Sequence, residues 1–298
     1  MKIKVGRYTI DISNEDKVLF GKSGITKGDL INYYQAIASV MLPYVNDRLI
    51  SMQRFPNGIT KESFFQKDAS DYFPDWITRV SVPKEHGGTV HYVVIDKAAT
   101  LIYLANQACI TPHTWLSKTD NLNKPDRMIF DLDPHDALSF ADVQKVAKKL
   151  KAKLDKLNIP TFCMLTGSRG AHIVVPLRRV HTFDETREFA HTIALQLAEE
   201  FPTLITTSLN KAKRGKRIFI DWLRNGFGST GVAPYAVRAH EGAPVAMPVT
   251  WEKLLSPKMN SQHYTITNAL HHIKTVGDVW ESMQKHAVSL KNKDINLN

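Results

Sequence analysis

Cysteine is nearly absent from this chain: 298 residues hold two, Cys109 and Cys163. They are too few and too scattered for a disulfide framework or a thiolate zinc site. Both stand in apolar surroundings, as small buried residues of a protein kept in a reducing compartment do. Long hydrophobic runs are missing as well. No window approaches the ~18 uninterrupted apolar residues a membrane span needs. Met1 to Tyr8 is basic and alternating, without the apolar core of a secretory leader. A cytoplasmic protein with no membrane segment is the expectation. Internal repeats, low-complexity tracts and Pro/Gly/Ser-rich linkers are also lacking. One catalytic unit is therefore expected, with an N-terminal lobe of about residues 1–110, a core of about 111–298 and a polar tail fraying from His286.

Negative charge is in short supply. Against 39 Lys and Arg stand 29 Asp and Glu, for a net charge of +10. Such a balance favours a polyanionic partner, most often nucleic acid, over an enzyme that is merely basic.

Strand and helix patterns alternate along the chain, which places it in the α/β or mixed α+β class. Met1 to Phe20 alternates like a strand pair. Thr26 caps a helix from Lys27 to Met41 that Pro43 closes. Leu49 to Phe55 reads as a strand. Ile77 to Val82 and Thr89 to Ile95 form a hairpin about the polar loop Pro83 to Gly88. Asp96 caps a helix to Ala108, which Thr111 to Trp115 breaks. Ser139 caps a Lys-rich helix to Asn158, and a further helix runs from Asp184 to Glu200. Strands are expected at Thr161–Leu165, Ala171–Leu177, Ile218–Asp221 and Pro234–Ala239, and Thr250 opens a terminal helical region.

The stretch Arg127 to Pro134 carries the first chemical signal. Read as a strand, it sends Met128, Phe130 and Leu132 into a core and aims Asp131 and Asp133 the other way, with Cα atoms ~6.6 Å apart. Two like charges on one sheet face need a cation between them. Asp221, at the end of another apolar strand, supplies a third carboxylate. Three carboxylates about two Mg²⁺ or Mn²⁺ ions suit in-line nucleotidyl transfer, and oxygen-only ligands argue against zinc. An Asp-x-Asp alone is equally consistent with N-caps or solvated turn acids. The Gly-rich turn Thr166-Gly167-Ser168-Arg169-Gly170, followed by His172, brings backbone N–H groups and polar side chains that suit a phosphate, although an ordinary hairpin turn has the same composition. The basic run Lys211 to Arg217 precedes Asp221, and Arg224 and Arg238 follow it. Beside a metal carboxylate, such cations fit a triphosphate or a nucleic-acid backbone. Phe64 and Phe65 with Lys67 suit base stacking, or else two core positions.

Taken together, F-D-L-D-P, T-G-S-R-G-A-H-I-V-V-P-L, R-G-K-R-I-F-I-D-W-L-R-N and A-P-Y-A-V-R-A resemble the polymerase domain of bacterial DNA ligase D, a member of the archaeo-eukaryotic primase superfamily. N-E-D-K-V-L-F, G-I-T-K-G-D-L-I-N-Y-Y and N-G-I-T-K-E-S-F-F-Q-K extend the likeness over essentially the whole chain. The resemblance implies a primase-like core of central sheets flanked by helices. It implies metal ligation by Asp131, Asp133 and Asp221, and nucleotide contacts from His113, Thr166, Ser168, Arg169, His172, Arg214, Arg224 and Arg238. Asn14, Lys17 and Lys27 match the family's pocket for a downstream 5′-phosphate, and Phe64 and Phe65 its template-stacking pair. The loop Pro83 to His91, with Lys84, matches a hairpin that holds DNA ends. Thr166 stands for the usual Ser, Ser168 for a Gly and Arg169 for the usual Lys, the last exchanging a point charge for a planar fork. The expected activity is extension of primer 3′ ends at gaps and double-strand breaks from nucleoside triphosphates, with ribonucleotides preferred and Mn²⁺ the better activator. A Ku-type end-binding protein and a separate ligase are the implied partners, since the resemblance extends to no ligase or nuclease part. The rivals are a non-catalytic DNA-end-binding module and, further off, a metal-dependent glycosyltransferase.

Overall fold

The chain turns on a central strand, Arg127–Pro134, in a mixed α/β arrangement. The computed structural model describes residues 1–84 and 86–291. They divide into two compact units. The first holds residues 1–120, 232–246 and 264–277, and the second the remainder. A linear division near residue 110 therefore misses two late segments that belong with the first unit.

In the second unit, Arg127–Pro134 pairs antiparallel with Ala171–Pro176 on one edge and Ile218–Asp221 on the other. The sheet continues to Phe162–Leu165 and Met247–Val249 on one side, and by a parallel pairing to Ile205–Thr206 on the other. Met128, Phe130 and Leu132 are fully buried, as the period-2 alternation requires. Helix Phe140–Lys156 packs against this sheet and buries Val143, Val146, Ala147, Leu150 and Leu154. It starts where expected, because the Ser139 N–H and hydroxyl both donate to the Asp142 carboxylate. Helix Phe183–Glu200 opens on the matching box of Thr182 and Glu185. The tail does not fray at His286. Val288 donates its N–H to the Pro176 carbonyl, the Leu290 N–H donates to the His181 ring, and Leu290 is buried. The alternating Val288 and Leu290 anchor a segment whose polar composition suggested otherwise; residues 292–298 lie outside the described residues.

In the first unit a sheet runs Cys109–Trp115, Leu49–Arg54, Thr89–Val94, Arg79–Pro83, with Phe64–Gln66 also pairing to Leu49–Arg54. Helices Lys27–Val45 and Ala98–Asn106 pack together. Four expectations are corrected. Pro43 lies inside the last turn of its helix, where the missing N–H costs one bond and the Asn46 N–H still closes on the Leu42 carbonyl. Asp96 does not cap: Lys97 holds that position, and the Asp96 carboxylate accepts from Thr78, Lys97 and Thr100. Thr111 to Trp115 is part of a strand, with Pro112 next to a register irregularity at Gln53 and Arg54 that tolerates it. Pro234 to Ala239 makes only a bridge, Val237 to Val245, because Tyr235 takes φ +67° and leaves the extended region. Cys109 and Cys163 are free and buried, and burial pushes both thiols up, Cys109 to about 12. Among the described residues no helix is long and apolar enough to cross a membrane.

The turn after Phe162–Leu165 is pinned to the central strand. Gly167 takes φ +65°, and a Cβ on Gly170 would overlap the Leu132 carbonyl oxygen. Gly170→Ala therefore forces the turn off the strand, at a cost of roughly 1–3 kcal/mol. Thermal unfolding should show a melting point several degrees lower; an unchanged melting point would contradict this close approach.

Candidate active site

Strand register builds the centre of the second unit. Asp131 lies directly opposite His172 on one neighbouring strand and directly opposite Asp221 on the other. Directly opposed residues share a face, so His172, Asp131 and Asp221 form one row across three strands, with Asp133 two residues along. The His172 Nε2 stands 3.5 Å from an Asp131 oxygen. Burial, and secondarily the charge of Asp131, hold the Asp133 carboxyl above the usual aspartate range. Burial does the same to Asp221, with Arg224 opposing it.

Three arginines answer this crowding. Arg224 Nε reaches Asp131 at 3.3 Å and Asp221 at 3.2 Å, so one guanidinium bridges the two opposed acids. Asp133 faces Arg169 at 3.5 Å and Arg214 at 3.8 Å. Among the described residues no group of three or more His, Cys, Asp and Glu stands ready-made as a metal site. The three acids share a face, as the sequence suggests, but in this arrangement arginine and not a closed carboxylate cage balances them. The donor set still suits a hard divalent cation: three carboxylates, two of them disfavoured as bare anions by burial.

The flanking loops hold those arginines in place. Arg214 lies 3.6 Å over the Phe219 ring and donates through Nε to the Ser208 carbonyl. Arg217 donates to the Arg214, Lys213 and Pro202 carbonyls and staples the loop. Arg169, Lys211, Arg214 and Arg217 line a cleft of ≈ 220 Å³ beside Asp133. Arg169 also pairs with Asp136. Thr166 is buried and its hydroxyl bonds the Gly170 carbonyl and the Ser261 hydroxyl, so it fastens the turn from inside. The Ser168 N–H points back to Thr166, and the Ser168 carbonyl accepts from Gln262.

Two residues that the sequence reading passed over matter here. The fully buried Asn225 amide donates to the Ile129 carbonyl and accepts from the Ile129 N–H, completing the central strand's ladder beside Arg224. Ser261 donates to the Gly170 carbonyl at 2.7 Å. A polar Asn after an apolar strand was visible as a signal; Ser261, 91 residues from its partner, offered none.

The remaining candidates belong to the first unit. Lys27, the first residue of its helix, is 4% exposed and donates to the Ser13 hydroxyl and the Asn106 carbonyl. Burial and then the Lys17 charge push its ammonium below the ordinary lysine range. Lys17 donates to Asn57, and its N–H to the Asn14 carbonyl, Asn14 being exposed at φ +49°. Phe64 and Phe65 are 46% and 57% exposed, which removes the core reading for both. Phe65 meets His113 edge-on at 5.4 Å. Lys67 and Lys84 are exposed, and Lys84 closes the Arg79–Thr89 hairpin through its N–H to the Gly88 carbonyl. The Arg238 N–H donates to the Pro244 carbonyl.

Residues 26–280 match the family described as LigD, primase-polymerase domain. A solved structure, the polymerase domain from Mycobacterium tuberculosis ligase D in complex with DNA, is 31% identical, with a TM-score of 0.87 over 93% of this chain and 99% of that one. The multifunctional non-homologous end joining protein LigD of Mycolicibacterium smegmatis is 30% identical over 272 residues, 91% of this chain and 35% of that protein. The bifunctional non-homologous end joining protein LigD of Bacillus subtilis is 30% identical over 269 residues, 90% of this chain and 43% of that protein. The chain thus spans well under half the length of these two relatives.

The raised carboxyls can be titrated directly. With divalent cations removed, carbon-13 NMR should find Asp133 and Asp221 protonating above the ordinary aspartate value. Folded values above unfolded ones mean that ionising these acids costs stability, a cost absent below the unfolded value and fully present above the folded one. Ordinary or depressed midpoints would show that the flanking arginines outweigh burial at these acids.

Proposed function

The chain belongs to the LigD primase-polymerase family, and from that premise we propose that it is a template-directed nucleotidyltransferase that extends DNA primer 3′ ends at gaps and double-strand breaks in non-homologous end joining. The observation that carries this is the register row of Asp131 and Asp221 with Asp133 alongside, edged by cations. Such a face has little use for a neutral ligand. It suits a substrate that brings a polyphosphate together with its own hard cations.

Asp131, Asp133 and Asp221 would hold Mn²⁺ or Mg²⁺, which when bound supplies charge neutralisation at the attacking hydroxyl and the departing phosphate. The chain's own residues then have separable tasks. Arg169 and Arg214, beside the cleft at Asp133, bind the triphosphate. Arg224, which bridges Asp131 and Asp221, would be available to the phosphates wherever cations held by those acids took over their charge balance. His172 orients Asp131 through its Nε2. His113 and Arg238 contact the nucleotide by family likeness. That likeness also supports a ribonucleotide preference, cytoplasmic residence, a Ku-type partner and a separate ligase. Non-catalytic end binding is the second reading, favoured by the Arg224 bridge across the acids.

Asp131→Ala and Asp133→Ala should each abolish Mn²⁺-dependent primer extension while DNA affinity in a gel shift changes little. Undiminished extension by either variant would sink the catalytic assignment. Lys17 and Lys27, close enough that the Lys17 charge helps to lower the Lys27 ammonium, suit the 5′-phosphate of a gap. Lys17→Ala should erase most of the preference for gapped DNA carrying that phosphate over gapped DNA lacking it. Equal binding of the two substrates by the unaltered protein would count against the pocket.

A further inference from the structure

Helix Phe140–Lys156 carries six lysines against two acids, Asp142 and Asp155. None of the six lines the cleft beside Asp133. Two are answered locally, Lys145 by Asp142 at 2.9 Å and Lys151 by Asp155 at 2.6 Å. Among the described residues the other four, Lys148, Lys149, Lys153 and Lys156, pair with no carboxylate. Lys149, Lys153 and Lys156 stand at i, i+4 and i+7, so they rise along one side of the helix over ~10 Å. Lys148 and the exposed Ala152 border that stripe. The Lys149 ammonium lies 3.3 Å from the Phe201 ring centroid, which holds it in place. Glu199 and Glu200, the acids next to that ring in the chain, form no ion pair with the stripe.

The helix dipole favours cations in the last turn, which accounts for Lys153 and Lys156 taken singly. It gives no reason for Lys148 and Lys149 at mid-helix. What the stripe lacks defines the ligand it fits. No large hydrophobic side chain of this helix is exposed, so a protein partner would find no apolar anchor. The ring that meets the stripe is covered by Lys149, which leaves no open face for an unpaired base. A row of point charges remains, and it suits phosphates bound without base readout, as on a duplex backbone. The helix also starts at the rim of the site: Phe140 lines a cavity of ≈ 250 Å³ with Arg169 and Gln262. At 1.5 Å per residue the stripe lies ~14–24 Å along the helix from that start.

We propose that Lys148, Lys149, Lys153 and Lys156 form a docking surface for the phosphate backbone of duplex DNA, outside the catalytic cleft. The inference rests on the reading of the chain as an enzyme of DNA ends. The surface holds the duplex without reading its sequence and touches none of the reacting atoms.

The test measures binding of the full chain to a long blunt duplex across a salt series, together with primer extension on saturating gapped DNA. Lys149→Gln/Lys153→Gln/Lys156→Gln should lower the slope of log affinity against log salt by about 2 to 3, at roughly 0.9 per lost phosphate contact, and weaken binding more than tenfold at low salt. Its extension rate on saturating DNA should match that of the unaltered protein. The corresponding triple Arg variant, which keeps the charge, should retain slope and affinity. Lys2→Gln/Lys4→Gln/Lys274→Gln removes the same charge from exposed positions elsewhere and should change the slope far less. Circular dichroism melts confirm folding, and Lys156→Glu alone should lower the slope by about 1 if the triple variant misfolds. An unchanged slope in a folded helix variant, an equal fall in the control, or a lost extension rate at saturating DNA would overturn this surface and leave the polymerase reading standing. Failure of the unaltered protein to bind either DNA would overturn both.

Discussion

Electrostatic crowding on one face of a single strand is the constraint to which the second unit is built. Antiparallel pairing puts Asp131 opposite Asp221, and the same strand adds Asp133 two residues on. In water such a cluster would be tolerable. Half-buried in a sheet, each carboxylate loses hydration and feels its neighbours, and the carboxyls of Asp133 and Asp221 respond by holding their protons more tightly. The fold accepts that cost and surrounds the acids with Arg169, Arg214 and Arg224. A site with this much unspent tension between like charges is one in which bound cations and phosphates gain far more than they would on an ordinary surface.

Much of the apparatus around the acids keeps the strand and its arginines still. Asn225 gives Ile129 a side-chain substitute for a strand neighbour, which ends the sheet neatly at the point where Arg224 must project. Gly170 lets the Thr166 turn rest against Leu132, and Thr166 with Ser261 fastens its carbonyl. Phe219 and the Ser208 carbonyl set the Arg214 fork. A guanidinium so restrained loses little rotamer freedom when it meets a phosphate. The polar residues of the Gly-rich turn thus divide into those that build the turn, such as Thr166, and those that face the cleft, such as Arg169. Composition alone made them look equivalent.

Local chemistry was legible in the sequence wherever one strand or one helix start decided it. The central strand, its buried alternate residues, and the capping residues Thr26, Ser139 and Thr250 all lie where period and capping chemistry put them. The errors fell where distant partners overrode local preference. Thr111 to Trp115 read only as the break that ends a helix, yet they lie in a strand because Leu49–Arg54 pairs with them. The tail looked loose until Val288 and Leu290 found Pro176 and His181.

By itself the sequence determined the acidic strand, its carboxylate spacing, the excess of positive charge and the family likeness, because these depend on residue order and on the two-residue period of a strand. Only the tertiary structure decided that Asp221 faces Asp131 and not Asp133, that Arg224 spans the pair, and that Phe64 and Phe65 serve opposite faces. Each of those facts is a matter of register between strands far apart in the chain. A shift of one residue in that register would reverse every side chain while leaving the local sequence signals unchanged.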